Sequence, residues 1–73
     1  MNRNDLLEIL RSENIPESAY SLFGGIPNEK FCINKIECWE VYYSERGIKT
    51  QLKQFDTENE ACEYLYKKLH VIL

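Results

Sequence analysis

The stretch Trp39-Glu40-Val41-Tyr42-Tyr43-Ser44-Glu45-Arg46-Gly47 decides the fold, because it predicts a strand followed directly by a tight turn. A strand places alternate side chains on opposite faces of a sheet. One face then carries Trp39, Val41 and Tyr43, and the other carries Cys38, Glu40, Tyr42 and Ser44. Gly47 can supply the positive φ that a three-residue hairpin loop with a bulge requires. We therefore expect the chain to turn back at Gly47 into another strand.

A three-stranded antiparallel meander extends outward from this hairpin. Phe31 and Ile33 alternate with Cys32 and Asn34, which predicts a first strand ending in a turn at Asn34-Lys35. The second strand is expected at about 38–44 and the third at about 49–55. Short connections of this kind join antiparallel neighbours.

Helices are expected before and after the meander in the sequence. Asn4 is predicted to cap a first helix that ends near Ser12, and Pro16 to begin a second short helix that ends at Gly24-Gly25. Thr57 begins a capping box for the last helix. Its partner in the box is Glu60, and the apolar stripe of this helix is Ala61, Cys62, Leu65, Leu69, Ile72 and Leu73. The predicted class is α+β, with residues 1–73 as a single domain and the C-terminal helix packed on one sheet face.

Composition favours a small folded protein of the cytoplasm. The 73 residues are 44% hydrophobic and 12% aromatic, which argues against disorder. No apolar run is long enough to span a membrane, and the first residues lack the pattern of a signal peptide. Three cysteines without paired spacing fit a reducing compartment, so we expect free thiols.

Catalytic and metal sites are not predicted. The single histidine, His70, has no obvious catalytic partner in the sequence. Cys62 lies eight residues before it, and Cys32 and Cys38 do not form a CxxC motif. We therefore expect no enzyme activity, no metal and no cofactor, and we expect the cysteines to be small buried hydrophobes.

The acidic residues around the start of the last helix favour a basic protein partner. The net charge is −3, and Asp56, Glu58, Glu60 and Glu63 precede the first lysine of this helix, Lys67. Such a run attracts cationic surfaces and repels phosphate. It also stabilises a helix N-terminus, by about 0.3 to 1 kcal/mol for each carboxylate, without any partner.

The order helix, three strands, helix is also that of a double-stranded-RNA-binding domain. That module presents basic residues at the start of its last helix, where this chain has glutamates. Lys67 and Lys68 come about two turns later. The charges therefore argue against direct binding of nucleic acid.

Three further features each have a structural and a functional interpretation. Trp39 is expected in the core rather than on a ligand-binding surface. Tyr42 shares a face with Glu40, and either it is a surface hot spot or it packs beneath the N-terminal helices. Glu45 and Arg46 form either a solvated turn or a charged tip that fixes the register of a partner.

Several segments resemble a group of small bacterial immunity proteins, the antidotes of polymorphic or contact-dependent growth-inhibition toxins. The resemblance is carried by Gly24-Gly25-Ile26-Pro27, Phe31-Cys32-Ile33, the stretch from Trp39 to Gly47, Phe55, Glu60-Ala61-Cys62 and Tyr64. It covers most of the chain from about Tyr20 onward. It implies a cytoplasmic protein that binds one cognate toxin, commonly a nuclease, and blocks its active site or its substrate surface.

The predicted function is therefore neutralisation of a basic toxin domain, with no direct contact to nucleic acid or membrane. The predicted partner-binding residues are Glu40, Tyr42, Glu45, Arg46, Glu58, Glu60 and Glu63. The alternative is a regulatory or structural adaptor without catalytic activity, which associates with itself through an exposed sheet face or edge.

Overall fold

The computed structural model describes residues 1–23 and 28–72, with side chains through residue 71. It contains helix α1 (Arg3–Ser12), a 3-10 turn (Glu17–Ala19), strands β1 (Tyr20–Ser21), β2 (Lys30–Lys35), β3 (Trp39–Glu45) and β4 (Ile48–Phe55), and helix α2 (Glu58–Ile72). The four strands form one mixed sheet in the order β1-β2-β3-β4. The predicted α+β class is confirmed, although the sheet has an additional strand.

The predicted second helix is only partly correct, because a single 3-10 turn (Glu17–Ala19) follows Pro16 and the chain then enters β1 at Tyr20. Tyr20 and Ser21 pair in parallel with Phe31 and Cys32 of β2. Tyr20 and Leu22 are buried whereas Phe23 is exposed, so burial here follows the period of a strand rather than that of a helix. The predicted helix end at Gly24-Gly25 lies outside the described residues, as do Ile26 and Pro27 of the predicted loop.

The turn between β2 and β3 lies later than predicted. Asn34 and Lys35 are still in the ladder, because they pair with Glu40 and Trp39. The chain reverses at residues 36–38 instead, where the amide of Ile36 donates to the carbonyl of Cys38 at 3.2 Å.

The hairpin between β3 and β4 has a two-residue loop, so the predicted three-residue loop with a bulge is wrong. Glu45 pairs with Ile48, which leaves only Arg46 and Gly47 between the strands, with φ angles of 52° and 78°. Two positive φ angles are typical of the type I′ turn that matches the twist of a hairpin.

A bulge does occur, but inside the hairpin. Val41 pairs with Lys53 and Tyr43 with Thr50, so Tyr42 faces two residues of β4. One of those two, Gln51, has a φ of 55°. A residue of this kind bends the strand locally and increases its twist.

Each helix begins with a polar cap. The side chain of Asn2, not Asn4 as predicted, accepts from the amide of Asp5 at 2.8 Å, and the Asp5 carboxylate accepts from the Asn2 amide at 3.2 Å. Asn2 can form this reciprocal box because an acid lies three residues after it. The predicted cap of α2 is confirmed, since the Thr57 hydroxyl accepts from the Glu60 amide at 3.2 Å.

Both helices cover the same face of the sheet. One core cluster joins them to the strands, and its members include Leu6 and Leu10 of α1, Ala61, Cys62, Leu65 and Leu69 of α2, and Phe31, Ile33, Trp39 and Val41 of the sheet. The predicted core position of Trp39 is confirmed, at 9% exposure. Of the predicted stripe of α2, the side chains of Ile72 and Leu73 lie outside the described part.

The two helices run in parallel, side by side. Arg3 contacts Glu58 where both helices begin, and Glu13 contacts His70 near the ends of both. Within residues 1–23 and 28–72, no helix has the length and apolar character needed to cross a membrane.

Candidate binding surface

The structure divides the seven predicted partner-binding residues among three places. Glu40 and Tyr42 lie within β3, Glu45 and Arg46 at the tip of the β3–β4 hairpin, and Glu58, Glu60 and Glu63 on α2. Helix α2 follows Phe55, which pairs with Trp39 at the end of the hairpin far from its tip. A seven-residue strand is about 20 Å long, so the tip and the start of α2 form two separate charged groups.

Tyr42 is buried, with 1% exposure, so the prediction that it is a surface residue is wrong. The alternative, that it packs beneath the N-terminal helices, is also wrong. Val41 and Tyr43 on either side of it contact the helix-covered core, so Tyr42 points to the opposite face. Glu40 lies on that opposite face too and is 6% exposed.

A lysine that sequence reasoning missed, Lys49, contacts both residues. The Nζ atom of Lys49 lies 2.6 Å from Oε1 of Glu40 and 4.6 Å from the centre of the Tyr42 ring. A buried carboxylate needs an opposite charge of this kind, because desolvation otherwise disfavours its charged form. The ion pair joins β3 to β4 on either side of the bulge.

Tyr42 also forms a hydrogen bond with the side chain of Cys32 on the neighbouring strand. Burial, reinforced by the charges of Cys32 and Glu40, raises the pKa of Tyr42 to about 12. Burial likewise raises the pKa of the Cys32 thiol, and burial together with Glu58 raises the pKa of Cys62 to about 11. These groups are therefore protonated at neutral pH, which makes the thiols poor nucleophiles.

Glu58 holds the two helices together. Its Oε2 atom accepts from the Arg3 amide at 2.8 Å and lies 3.5 Å from Nε of Arg3. The Arg3 guanidinium lies 4.9 Å from the ring centres of both Phe23 and Trp39 and donates to the carbonyl of Leu22 at 3.3 Å. Sequence reasoning missed Arg3, because 55 residues separate it from the carboxylate that it contacts.

Glu60 and Glu63 remain exposed on α2. The Glu60 carboxylate accepts from the Thr57 hydroxyl at 3.0 Å. Among the described residues, no lysine, arginine or histidine nitrogen lies within 4.0 Å of either carboxylate. Together with the exposed Asp56, these two residues form what we call the α2 acidic surface.

The hairpin tip presents two charges beside an apolar residue. Glu45 and Arg46 are exposed, and Ile48, directly after the loop, is 63% exposed. The Arg46 amide donates to the side chain of Asn28 at 3.0 Å, which anchors the turn.

His70 has a partner that the sequence did not reveal. Its Nε2 atom lies 2.8 Å from Oε1 of Glu13, and the Tyr66 hydroxyl donates to Oε2 of the same carboxylate at 2.7 Å. In the part of the chain that the structure describes, no three metal-ligating side chains come together.

A cavity of about 320 Å³ opens between α1, the 3-10 turn and the start of the sheet. It is lined by Leu7, Arg11, Glu17, Tyr20, Leu22, Phe23 and Lys30. Sequence reasoning did not identify it, because its walls come from four separate elements.

Comparisons of the chain with known protein families, with curated proteins and with solved structures found no match.

Proposed function

We propose that the chain is an immunity protein that binds a basic toxin domain in the cytoplasm and neutralises it through the α2 acidic surface. This proposal rests on one observation: neighbouring carboxylates of α2 differ in whether a cation neutralises them. Glu58 is neutralised by Arg3, whereas Glu60 and Glu63 face solvent with no cation within 4.0 Å in the described structure. Two unpaired carboxylates on the rigid first turns of a helix are complementary to a cationic surface.

The hairpin tip is the second contact in this proposal. A two-residue loop with Arg46 anchored to Asn28 presents Glu45 and Ile48 in a fixed arrangement. Preorganisation of this kind reduces the entropy lost on binding. In this proposal Glu40 and Tyr42 do not touch the partner. They stabilise the hairpin through their contacts with Lys49.

A nuclease toxin binds phosphate groups with lysine and arginine side chains, so its substrate surface is positively charged. Carboxylates that occupy this surface exclude the nucleic acid. Their long-range attraction also speeds association, most strongly at low salt. The proposed inhibition therefore requires no chemical step by the chain itself.

Co-expression of the chain with the toxin domain encoded beside it tests the proposal. We expect protection of the cells and co-purification of the two proteins. The single variants Glu60→Lys and Glu63→Lys should each slow association and weaken its dependence on salt, while Glu8→Lys, on an exposed position of α1, serves as the charge-matched control. Failure of the intact protein to bind or protect would disprove this function.

A second candidate function is self-association through β4. This strand forms an edge of the sheet, and Ile48 and Leu52 on it are 63% and 46% exposed. Edge strands with exposed apolar residues can pair with a second chain, although Lys53 and the bulge at Gln51 oppose such pairing. This candidate would be favoured if the wild-type protein changed from a monomer to a dimer in solution as its concentration rose, while Leu52→Lys stayed a monomer.

A further inference from the structure

The cavity beside α1 contains a buried polar group without a partner. Tyr20 lines the cavity and is 5% exposed, and its hydroxyl has no hydrogen-bond partner in the described part of the chain. Buried hydroxyl groups nearly always have a partner, so the Tyr20 hydroxyl keeps an unused hydrogen-bond donor at the cavity. A volume of about 320 Å³ lies at the lower end of the range for small-molecule sites.

The charges at this cavity favour an anion. Arg11 and Glu17 form an ion pair in which Nε and Nη2 lie 3.3 and 3.0 Å from the same carboxylate oxygen. Both side chains are more than half exposed, and exposed pairs contribute little to stability. An incoming carboxylate can therefore replace Glu17 at little cost. Lys30 adds a second cation, with no carboxylate within 4.0 Å among the described residues.

The remaining walls are apolar, because Leu7, Leu22 and Phe23 provide them. We propose that the cavity binds a small monocarboxylic acid with an apolar body. Its carboxylate replaces Glu17 on Arg11 and accepts a hydrogen bond from the Tyr20 hydroxyl. Burial and the nearby Glu17 raise the pKa of Tyr20, so this hydroxyl is protonated and able to donate at neutral pH.

Two probes that differ only in their polar end test this proposal. We expect 4-phenylbutyrate to shift the backbone amide signals of Leu7, Arg11 and Leu22 in a two-dimensional NMR titration of the full chain. The alcohol 4-phenylbutan-1-ol should bind about tenfold more weakly, because it cannot form charge-assisted hydrogen bonds. No shift with the acid, or equal affinity for the alcohol, would overturn the proposal.

Variants of the residues that surround the carboxylate of the acid should change the affinity for the acid in opposite directions. Arg11→Met should remove the preference for the acid, and Tyr20→Phe should weaken binding of the acid by about two- to tenfold. Glu17→Gln should strengthen it by up to about fivefold, because the competing carboxylate is lost. Lys53→Met, an exposed lysine of β4, serves as the charge control. Affinity for the acid that stays unchanged in both Arg11→Met and Glu17→Gln would contradict the assignment.

Discussion

Glu40 and Lys49 form an ion pair of 2.6 Å although they are not opposite each other in the ladder. Lys49 pairs with Ser44, and Glu40 with Gln54, so the lysine side chain runs along the hairpin to reach the carboxylate. Its Nζ atom lies 4.6 Å from the centre of the Tyr42 ring, so one lysine contacts two of the buried side chains on this face of the sheet.

Lys49→Met should lower the free energy of unfolding by about 1 to 3 kcal/mol, because it leaves the Glu40 carboxylate buried without an opposite charge. Urea denaturation measures the change. The double variant Glu40→Gln/Lys49→Met should lose clearly less than the sum of the two single variants. Lys53→Met, which removes an exposed lysine of the same strand, should lose under about 0.5 kcal/mol, and an equal loss in both lysine variants would contradict the role of the ion pair.

Deprotonation of Tyr42 should lower the stability of the fold at alkaline pH. The folded-state pKa of about 12 lies above the value of 10.0 for an unperturbed tyrosine, so the unfolded state loses this proton first. This contribution to stability is complete well below pH 10 and is lost as the pH rises from 10 through 12, by about 3 kcal/mol in all. Unfolding of the wild type and of Tyr42→Phe, compared at pH 8 and pH 11, isolates this loss. An identical decline in both proteins would show that Tyr42 titrates normally.

The two ion pairs of α1 should differ in their effect on stability. Arg3→Met removes a half-buried cation that contacts Glu58, Phe23 and Trp39, and it should cost about 1 to 3 kcal/mol. Arg11→Met removes an exposed pair with Glu17 and should cost about 0 to 1 kcal/mol. Thermal melting of the two variants gives the comparison. Equal melting temperatures would argue against a special role for Arg3.

Gly47 should resist substitution because of its backbone conformation and not because of crowding. Its φ is +78°, and a Cβ atom built there has nothing within 4 Å. Gly47→Ala should cost about 1 to 2 kcal/mol, and Gly47→Asn clearly less, because asparagine tolerates the left-handed region. Chemical denaturation distinguishes the two. If alanine and asparagine cost the same, the conformational explanation fails.

Trp39→Ala should cost about 3 to 5 kcal/mol, since the ring is buried between the helices and the sheet. A small domain has little stability to lose, so this variant should be largely unfolded at room temperature. Circular dichroism measures this directly. A normal melting curve for Trp39→Ala would contradict its contribution to the core.

The spacing of apolar and capping residues predicted correctly those helices and strands whose structure is determined by their own sequence. The alternation around Val41 and the spacing of Leu65 and Leu69 identified β3 and α2, and Thr57 was correctly identified as a cap. Strand β1 was missed because two residues carry almost no periodic signal, and their pairing with Phe31 depends on tertiary structure.

The candidate site was predictable only in part, for the same reason. The exposed positions of Glu60 and Glu63 follow from helical spacing, since both lie off the apolar stripe. The burial of Tyr42 does not follow from alternation, because alternation assigns a side chain to a sheet face but does not say whether that face is covered. Likewise the contact between Glu58 and Arg3 depends on the docking of two helices far apart in the sequence.

The parallel packing of α1 against α2 has a consequence for how the chain folds during synthesis. Contacts between Arg3 and Glu58, and between Glu13 and Tyr66, close loops of more than fifty residues. Loop closure of this length costs entropy before the contacts can compensate for it. While a ribosome is still translating the sheet, α1 therefore has no helix to dock against. The hydrophobic core is completed only after α2 has left the exit tunnel.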